Sequence, residues 1–334
     1  MSFILEKRIK VGDSLYLSPM GCGTWAWGNR FLWGYTPQMD GELQRVFNLL
    51  VSQGVTWFDT GDSYGTGKFN GRSETLLGKF SREYKGDHQD EIVIATKLAP
   101  YPWRLTPESL IKAYHQSAAR VGRSIELVQL HWSPANYFPW QEKPLLEGLA
   151  RLYHKGEVKA IGLSNYGPKN LLRAYNYLLD RGVRISTLQI QYSLLSTYPF
   201  VKLGLKELCQ QLDIKIIAYS PLALGLLTGK YWDENSLPSG ARGALFRQLI
   251  PAVKPLLYTL REIAEKNGKT MAQVAINWCI CKGTIPIPGA KTVQQAKENL
   301  GAIGWRLSPA EVTELETVAL SLNKQMIQNI FQTA

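Results

Sequence analysis

The chain has 334 residues, 45% of them hydrophobic and only 19% charged, which is ample for a large core and excludes a disordered segment. Its formal charge of +11 fits nucleic acid, a membrane surface or a small anionic ligand. Lys and Arg are scattered rather than clustered, so the charge reads as a solvated surface, with a phosphorylated cofactor accounting for only part of the excess.

Strand-like and helix-like segments alternate from end to end with no Pro/Ser linker, which predicts one domain over residues 1–334. Residues 8–11 and 15–18 flank Gly12-Asp13 as an opening hairpin, and 19–23 form a first short strand. Residues 40–53 place Leu43, Val46, Phe47 and Leu50 at helical spacing. Residues 55–59 form a second strand and 73–80 a helix. A third strand over 91–97 precedes a helix over 106–121, which opens on Thr-Pro, a good start signal. Strands at 125–131, 158–164, 187–192, 214–219 and 284–287 then alternate with helices at 142–154, 167–181, 202–212, 253–266 and 271–281. The stretch 222–249 is long and irregular, and helices over 293–300 and 308–322 close the chain. Eight strands separated by helices run parallel, and this length favours a closed (β/α)8 TIM barrel with an N-terminal β-hairpin and an extra C-terminal helix.

Such barrels carry their reactive groups at the C-terminal strand ends. Here those ends bear Asp59, Lys97, His131, Ser164 with Asn165, Gln191 with Tyr192, and Tyr219 with Ser220. Taken singly, a lysine at a strand end is a solvated terminus and a histidine after an apolar strand is a packed one. A carboxylate and a tyrosine five residues on make an ordinary turn. Together the barrel brings Asp59, Tyr64, Lys97 and His131 to one mouth, where they form a proton-transfer unit. A phenol with a pKa of ~10 is a poor acid at neutral pH. A neighbouring ammonium lowers that pKa, a carboxylate holds the ammonium, and an imidazole binds the substrate oxygen. This is a site for reducing a carbonyl or oxidising an alcohol.

Gly21-Cys22-Gly23-Thr24-Trp25-Ala26 fits a dinucleotide fingerprint, but an aromatic, Gly-rich loop follows where a helix is required. It reads as a pocket wall. Gly65-Thr66-Gly67-Lys68 lacks P-loop spacing. The better phosphate signals come late. Residues 220–230, from Ser220-Pro221-Leu222 through Gly225 to Lys230, offer backbone N–H groups and a cation. Gly289-Ala290-Lys291 opens the last barrel helix, where an anion is favoured.

Cys22, Cys209, Cys279 and Cys281 have neither zinc-site nor disulfide-framework spacing. They read as reduced packing residues of a cytoplasmic protein. Residues 1–10 show no cleavage-like segment, and no run reaches the ~20 apolar residues that span a bilayer. No metal, nucleic acid or membrane partner is expected.

The whole set resembles the aldo-keto reductase superfamily over nearly the full chain. The residues that carry the likeness are the hairpin, Phe58-Asp59-Thr60 with Tyr64-Gly65, Lys97, His131, Gly162-Leu163-Ser164-Asn165, Gln191, Tyr219-Ser220-Pro221-Leu222, and Gly289-Ala290-Lys291 with Glu298-Asn299. The resemblance implies a barrel that binds NADPH extended, without a Rossmann domain or a metal. It makes Tyr64 the proton donor, tuned by Lys97 and Asp59, with His131 orienting the carbonyl. Ser164, Asn165 and Gln191 would hold the nicotinamide amide, with Tyr219 stacked on the ring. Ser220, Pro221, Leu222, Gly225, Lys230 and Arg242 would clasp the pyrophosphate region. Lys291 and Gln295 would meet the 2′-phosphate, Glu298 and Asn299 the adenine, and Gly23, Thr24, Trp25 and Gly289 complete the cofactor side. Where family members add an arginine near Gln295, this chain leaves the 2′-phosphate to Lys291. A closer resemblance, carried by residues 20–28, 129–133, 275–284 and 326–333, is to the plant plastid and cyanobacterial pyridoxal reductase branch. The chain lacks a transit-like extension, which fits a bacterial cytosol or a mature form.

Aromatics crowd the predicted rim, and Trp25, Trp33, Trp103 and Trp132 are the candidate substrate wall, suited to pyridoxal or to a small carbonyl such as methylglyoxal. Trp and Tyr also bury large areas in any fold, so some of these rings belong to packing. The competing readings are a cofactor-sensing interaction module with slow turnover, and a nucleic-acid binder whose affinity collapses with salt.

Overall fold

A computed structural model describes residues 8–232 and 236–333. The start of the N-terminal segment read above as free of a cleavage site, residues 1–7, lies outside the described residues, as do 233–235 of the irregular stretch. Strands β1 (Ile9–Val11) and β2 (Leu15–Leu17) pair antiparallel as the expected hairpin. The eight strands β3 (Cys22–Gly23), β4 (Trp57–Asp59), β5 (Val93–Leu98), β6 (Leu127–Leu130), β7 (Ala160–Ser164), β8 (Ile185–Gln191), β9 (Lys215–Tyr219) and β10 (Ile285–Ile287) follow one another in a single parallel sheet. The Gly21 N–H donates to the Pro286 carbonyl (3.0 Å) and the Gly23 N–H to Pro288 (3.3 Å), closing β3 onto the far edge at β10.

Closure explains the glycines of the false fingerprint. A Cβ on Gly21 would sit 2.3 Å from the Trp57 ring, and one on Gly23 would sit 2.9 Å from the Ile287 carbonyl oxygen. Both are small because barrel walls meet there, not because a pyrophosphate passes.

Around the strands run α1 (Arg30–Trp33), α2 (Asp40–Ser52), α3 (Arg72–Glu83), α4 (Pro107–Val121), α5 (Pro139–His154) and α6 (Pro168–Leu179). They are followed by α7 (Tyr198–Val201), α8 (Leu205–Gln211), α9 (Gly240–Lys266), α10 (Met271–Cys281), α11 (Val293–Leu300) and α12 (Pro309–Ser321). Their apolar stripes pack on the outer barrel face as one core. A second cluster, including Trp57, Leu127 and Ile217 with the hairpin's Val11, Leu15 and Leu17, fills the barrel's lower interior, so the hairpin plugs the bottom. The site therefore faces the opposite end.

Three differences from expectation have physical causes. The helix expected over 202–212 begins only at Leu205, as α8, because Gly204 with φ of +63° breaks the helical path; the short α7 precedes the expected range. Helix α9 starts at Gly240 rather than 253 and passes through Pro251 and Pro255. Each proline removes a backbone donor, but the buried stripe of Phe246, Leu249, Ile250, Val253, Leu256 and Leu260 holds the helix together. After α12 the chain returns over the mouth: Met326 N–H donates to the Leu195 carbonyl (2.8 Å) and Thr333 N–H to Asn165 (3.1 Å). Among the described residues no helix is long and apolar enough to cross a membrane.

Candidate active site

The C-terminal strand ends open into a cavity of about 790 Å³. At its floor Lys97 and Asp59, both almost fully buried, form an ion pair, and the Lys97 ammonium also donates to the Thr60 carbonyl (2.8 Å). Its Nζ lies 4.8 Å from the centre of the Tyr64 ring. The Tyr64 ring meets His131 edge-on with centroids 5.8 Å apart. The four groups thus converge from β4, the loop after it, β5 and the residue after β6.

Burial and charge together set their protonation. Burial pushes the Tyr64 phenol up, and Asp59 adds to this, while the nearby Lys97 ammonium pulls it down; the net direction is up. The expected tuning by Lys97 is present as a pull, but burial outweighs it, so the phenol stays a proton-bearing group. Burial alone would push the Lys97 ammonium down, yet Asp59 and Tyr64 raise it overall. Burial and then the charge of Lys97 hold the His131 imidazole well below its ordinary value, so it is neutral.

Two residues that sequence reasoning missed complete the floor. Gln189 donates its side-chain amide to Asp59 Oδ2 (2.8 Å) and Gln129 donates to the same oxygen (3.1 Å). With Oδ1 paired to Lys97, both oxygens of Asp59 are engaged. A positional signal was available: each glutamine sits two residues before a mouth residue, His131 or Gln191, in its strand. Period two places it on the same inward face.

A polar wall follows. Asn165 donates to the His131 carbonyl and to Ser164 Oγ (both 3.1 Å) and accepts from the Tyr219 hydroxyl (2.8 Å). Gln191 donates to the Ile327 carbonyl (3.1 Å), so the returning C-terminal segment shares this wall. Asn165, Ser220, Ala223 and Leu224 all have positive φ, between 48° and 60°, and Gly225 has φ of 100°. Such strain in non-glycine residues is costly and concentrates at functional sites. Here it bends the loop after β9 into a series of turns along the cavity wall.

The far end is cationic. Arg242 Nε is buried without a hydrogen-bond partner among the described residues, and Arg242 and Lys291 both lie over the Trp33 ring. Burial, and then the positive charge of Arg242, hold the Lys291 ammonium down. Two cations over one ring and a guanidinium donor without a partner among the described residues suit an anion such as a phosphate. Gln295 accepts from the Lys291 backbone N–H (2.8 Å), Asn299 donates to the Gly289 carbonyl (3.4 Å), and Lys230 lies 4.0 Å from Glu298.

The cavity wall includes Gly23, Trp25, Ser164, Gln191, Tyr219, Ser220, Pro221, Leu222, Gly225, Lys230, Arg242, Gly289, Lys291, Gln295, Glu298 and Asn299. Thr24 is not part of it. Its hydroxyl is buried against the Asp59 carbonyl (2.9 Å) and Ser73, where it ties β4 to α3. Of the candidate substrate aromatics, Trp25, Trp33 and Trp132 all line the cavity, Trp33 packing edge-on against Trp25 at 5.9 Å and lying under the cations. Trp103 lies on the outer rim, 70% exposed and stacked on Tyr101 at 4.6 Å. Phe331, which sequence reasoning did not place in the site, stacks on Trp132 at 4.1 Å.

The family model described as "Aldo/keto reductase family" matches residues 19–319. The chain is 52% identical over 330 residues to the chloroplastic pyridoxal reductase of Arabidopsis thaliana, covering 98% of this chain and 90% of that one. Among solved structures, a glycerol dehydrogenase from Gluconobacter oxydans matches with a TM-score of 0.79 at 22% identity, over 98% of this chain and 99% of that one. An aldo/keto reductase from Klebsiella pneumoniae, in complex with NADP and acetate, matches with a TM-score of 0.72 at 21% identity, over 97% and 99% of the two chains. The two structural likenesses bear on the fold.

Proposed function

This chain belongs to the aldo/keto reductase family of oxidoreductases, and from that premise we propose that it reduces aldehydes to alcohols with NADPH, pyridoxal being the first candidate substrate. The observation that carries the reading is the convergence of a proton-bearing Tyr64, a buried Lys97–Asp59 pair and a neutral His131 at one end of a cavity whose other end is cationic.

The cofactor supplies a hydride to the carbonyl carbon. The chain's own groups do the rest. His131 holds the carbonyl oxygen, and Tyr64 gives that oxygen its proton as negative charge develops there. Lys97 stabilises the phenolate left behind, and Asp59, fixed by Gln129 and Gln189, keeps Lys97 in place. Ser164, Asn165 and Gln191 would orient the nicotinamide amide with Tyr219 against the ring, which presents one face to substrate. The strained turns at 220–225 would follow the pyrophosphate, and Lys291 with Arg242 would receive the 2′-phosphate end. Support for pyridoxal is the 52% identity to a protein of that name and the flat aromatic wall of Trp132 and Phe331.

The test is NADPH consumption by the purified full chain against pyridoxal, methylglyoxal, an aromatic aldehyde and a ketosteroid. Turnover of pyridoxal with the highest kcat/KM is expected. NADPH binding with no turnover of any carbonyl would instead favour a cofactor-sensing module.

A further inference from the structure

Ser63 stands between the catalytic carboxylate and the catalytic phenol in sequence, and nothing above gives it a role. Its Oγ lies 3.3 Å from His131 Nδ1, and both residues line the cavity. A neutral imidazole carries one proton, on either Nδ1 or Nε2, and the partner of one nitrogen decides the state of the other. We propose that Ser63 is a positioning residue that donates its hydroxyl proton to His131 Nδ1, so that the ring carries its proton on Nε2 and presents that N–H to the substrate carbonyl oxygen.

The direction of the bond follows from the serine's own proton. Among the described residues His131 Nδ1 is a side-chain partner of Ser63 Oγ, and a hydroxyl beside one lone pair donates to it. The neighbouring Asp62 is fixed from outside: it accepts from Arg104 at 2.5 Å and from the Ala99 N–H at 3.2 Å. The serine itself is held by the turn around it, with Asp62 N–H on the Lys97 carbonyl (2.9 Å) and Tyr64 N–H on Gly61 (3.0 Å). The result is an ordered pair, Ser63 to His131, that aims a donor at the place where negative charge develops during carbonyl reduction. In the opposite tautomer an Nε2 lone pair would face the carbonyl oxygen and repel it.

This inference rests on the assignment of His131 as the carbonyl-orienting group, and its test separates the two. The full chain labelled with 15N-histidine is examined by long-range 1H–15N correlation near neutral pH, with and without NADP+, and His131 is assigned by the signal lost in His131→Asn. The expected result is the Nε2–H signature in the natural sequence, a mixed or Nδ1–H signature in Ser63→Ala, and its return in Ser63→Thr. The kcat/KM for an aldehyde should fall about threefold to tenfold in Ser63→Ala, as loss of one neutral hydrogen bond implies, and recover in Ser63→Thr. Thermal melting confirms that both variants fold. An Nδ1–H ring in the natural sequence, or a His131 spectrum indifferent to Ser63→Ala, overturns the proposal. The spectrum needs no turnover, so a His131 that proves dispensable for catalysis would refute the function assigned to it while leaving the tautomer result readable.

Discussion

Arg242 and Lys291 place their cationic groups over the same indole, that of Trp33, at 5.0 and 5.5 Å from its ring centre. The Lys291 ammonium donates to the Trp33 carbonyl (3.0 Å), while burial and then the charge of Arg242 hold it down, costs that a bound anion relieves. Lys291→Met is therefore expected to weaken NADPH binding about tenfold to hundredfold, the range for one charge-assisted hydrogen bond. NADH, which lacks the 2′-phosphate, should bind almost unchanged. Fluorescence titration with both nucleotides checks this, and equal losses for the two would remove Lys291 from the 2′-phosphate site.

Tyr64→Phe deletes the phenolic proton and leaves the ring between Lys97 and His131. The expected outcome is a fall in kcat of about a hundredfold to ten-thousandfold, the usual contribution of a positioned general acid, with the Kd for NADPH unchanged. Because the net shift of Tyr64 is upward, the acid form persists through neutral pH. The pH profile of kcat for reduction should stay flat there and decline only above about 10. A decline centred near neutral pH would show that Lys97 dominates burial after all.

The stack of Phe331 on Trp132 (4.1 Å, 13° between planes) brings the C-terminal segment into the cavity wall. Replacing Phe331 with Ala removes one such ring contact, worth about 0.5–1.5 kcal/mol. The KM for an aromatic aldehyde should rise about twofold to tenfold, with a smaller change for methylglyoxal, which offers no ring to stack. Steady-state kinetics with the two substrates gives the comparison.

What could be read in the sequence follows from where each constraint lies. The positions of Asp59, Lys97 and His131 at the mouth were legible because a short apolar strand that stops on an ionisable residue gives both its direction and its mouth. The roles of Gln129 and Gln189 were not, since their partner Asp59 lies 70 and 130 positions away and only barrel closure brings them together. The early start of α9 was hidden by Pro251 and Pro255, whose local cost is visible in sequence while the buried stripe that offsets it is a tertiary effect. The outward position of Trp103 was hidden for the same reason. Aromatic loops announce rings, and the packing of the loop after β5 decides which way they face.

Glu311 ties the last helix to the barrel and does so through its charge. It closes the capping box of α12 with Ser308 and accepts from Asn267 at the end of α9 (2.9 Å). Burial pushes its carboxyl up, but the bonds from Asn267, Ser308 and Lys266 prevail and lower it to about 2. A carboxylate whose folded pKa lies below its unfolded value stabilises the fold above the unfolded pKa and loses that contribution as pH falls through the folded one. The stabilisation by Glu311 is thus complete above pH ~5 and fades between there and about 2. Glu311→Gln should lower the melting temperature at pH 7, and the gap to the natural sequence should narrow steadily between pH 5 and pH 3. A gap that stayed constant over that interval would mean that the side chain acts through packing alone, with no part played by its charge.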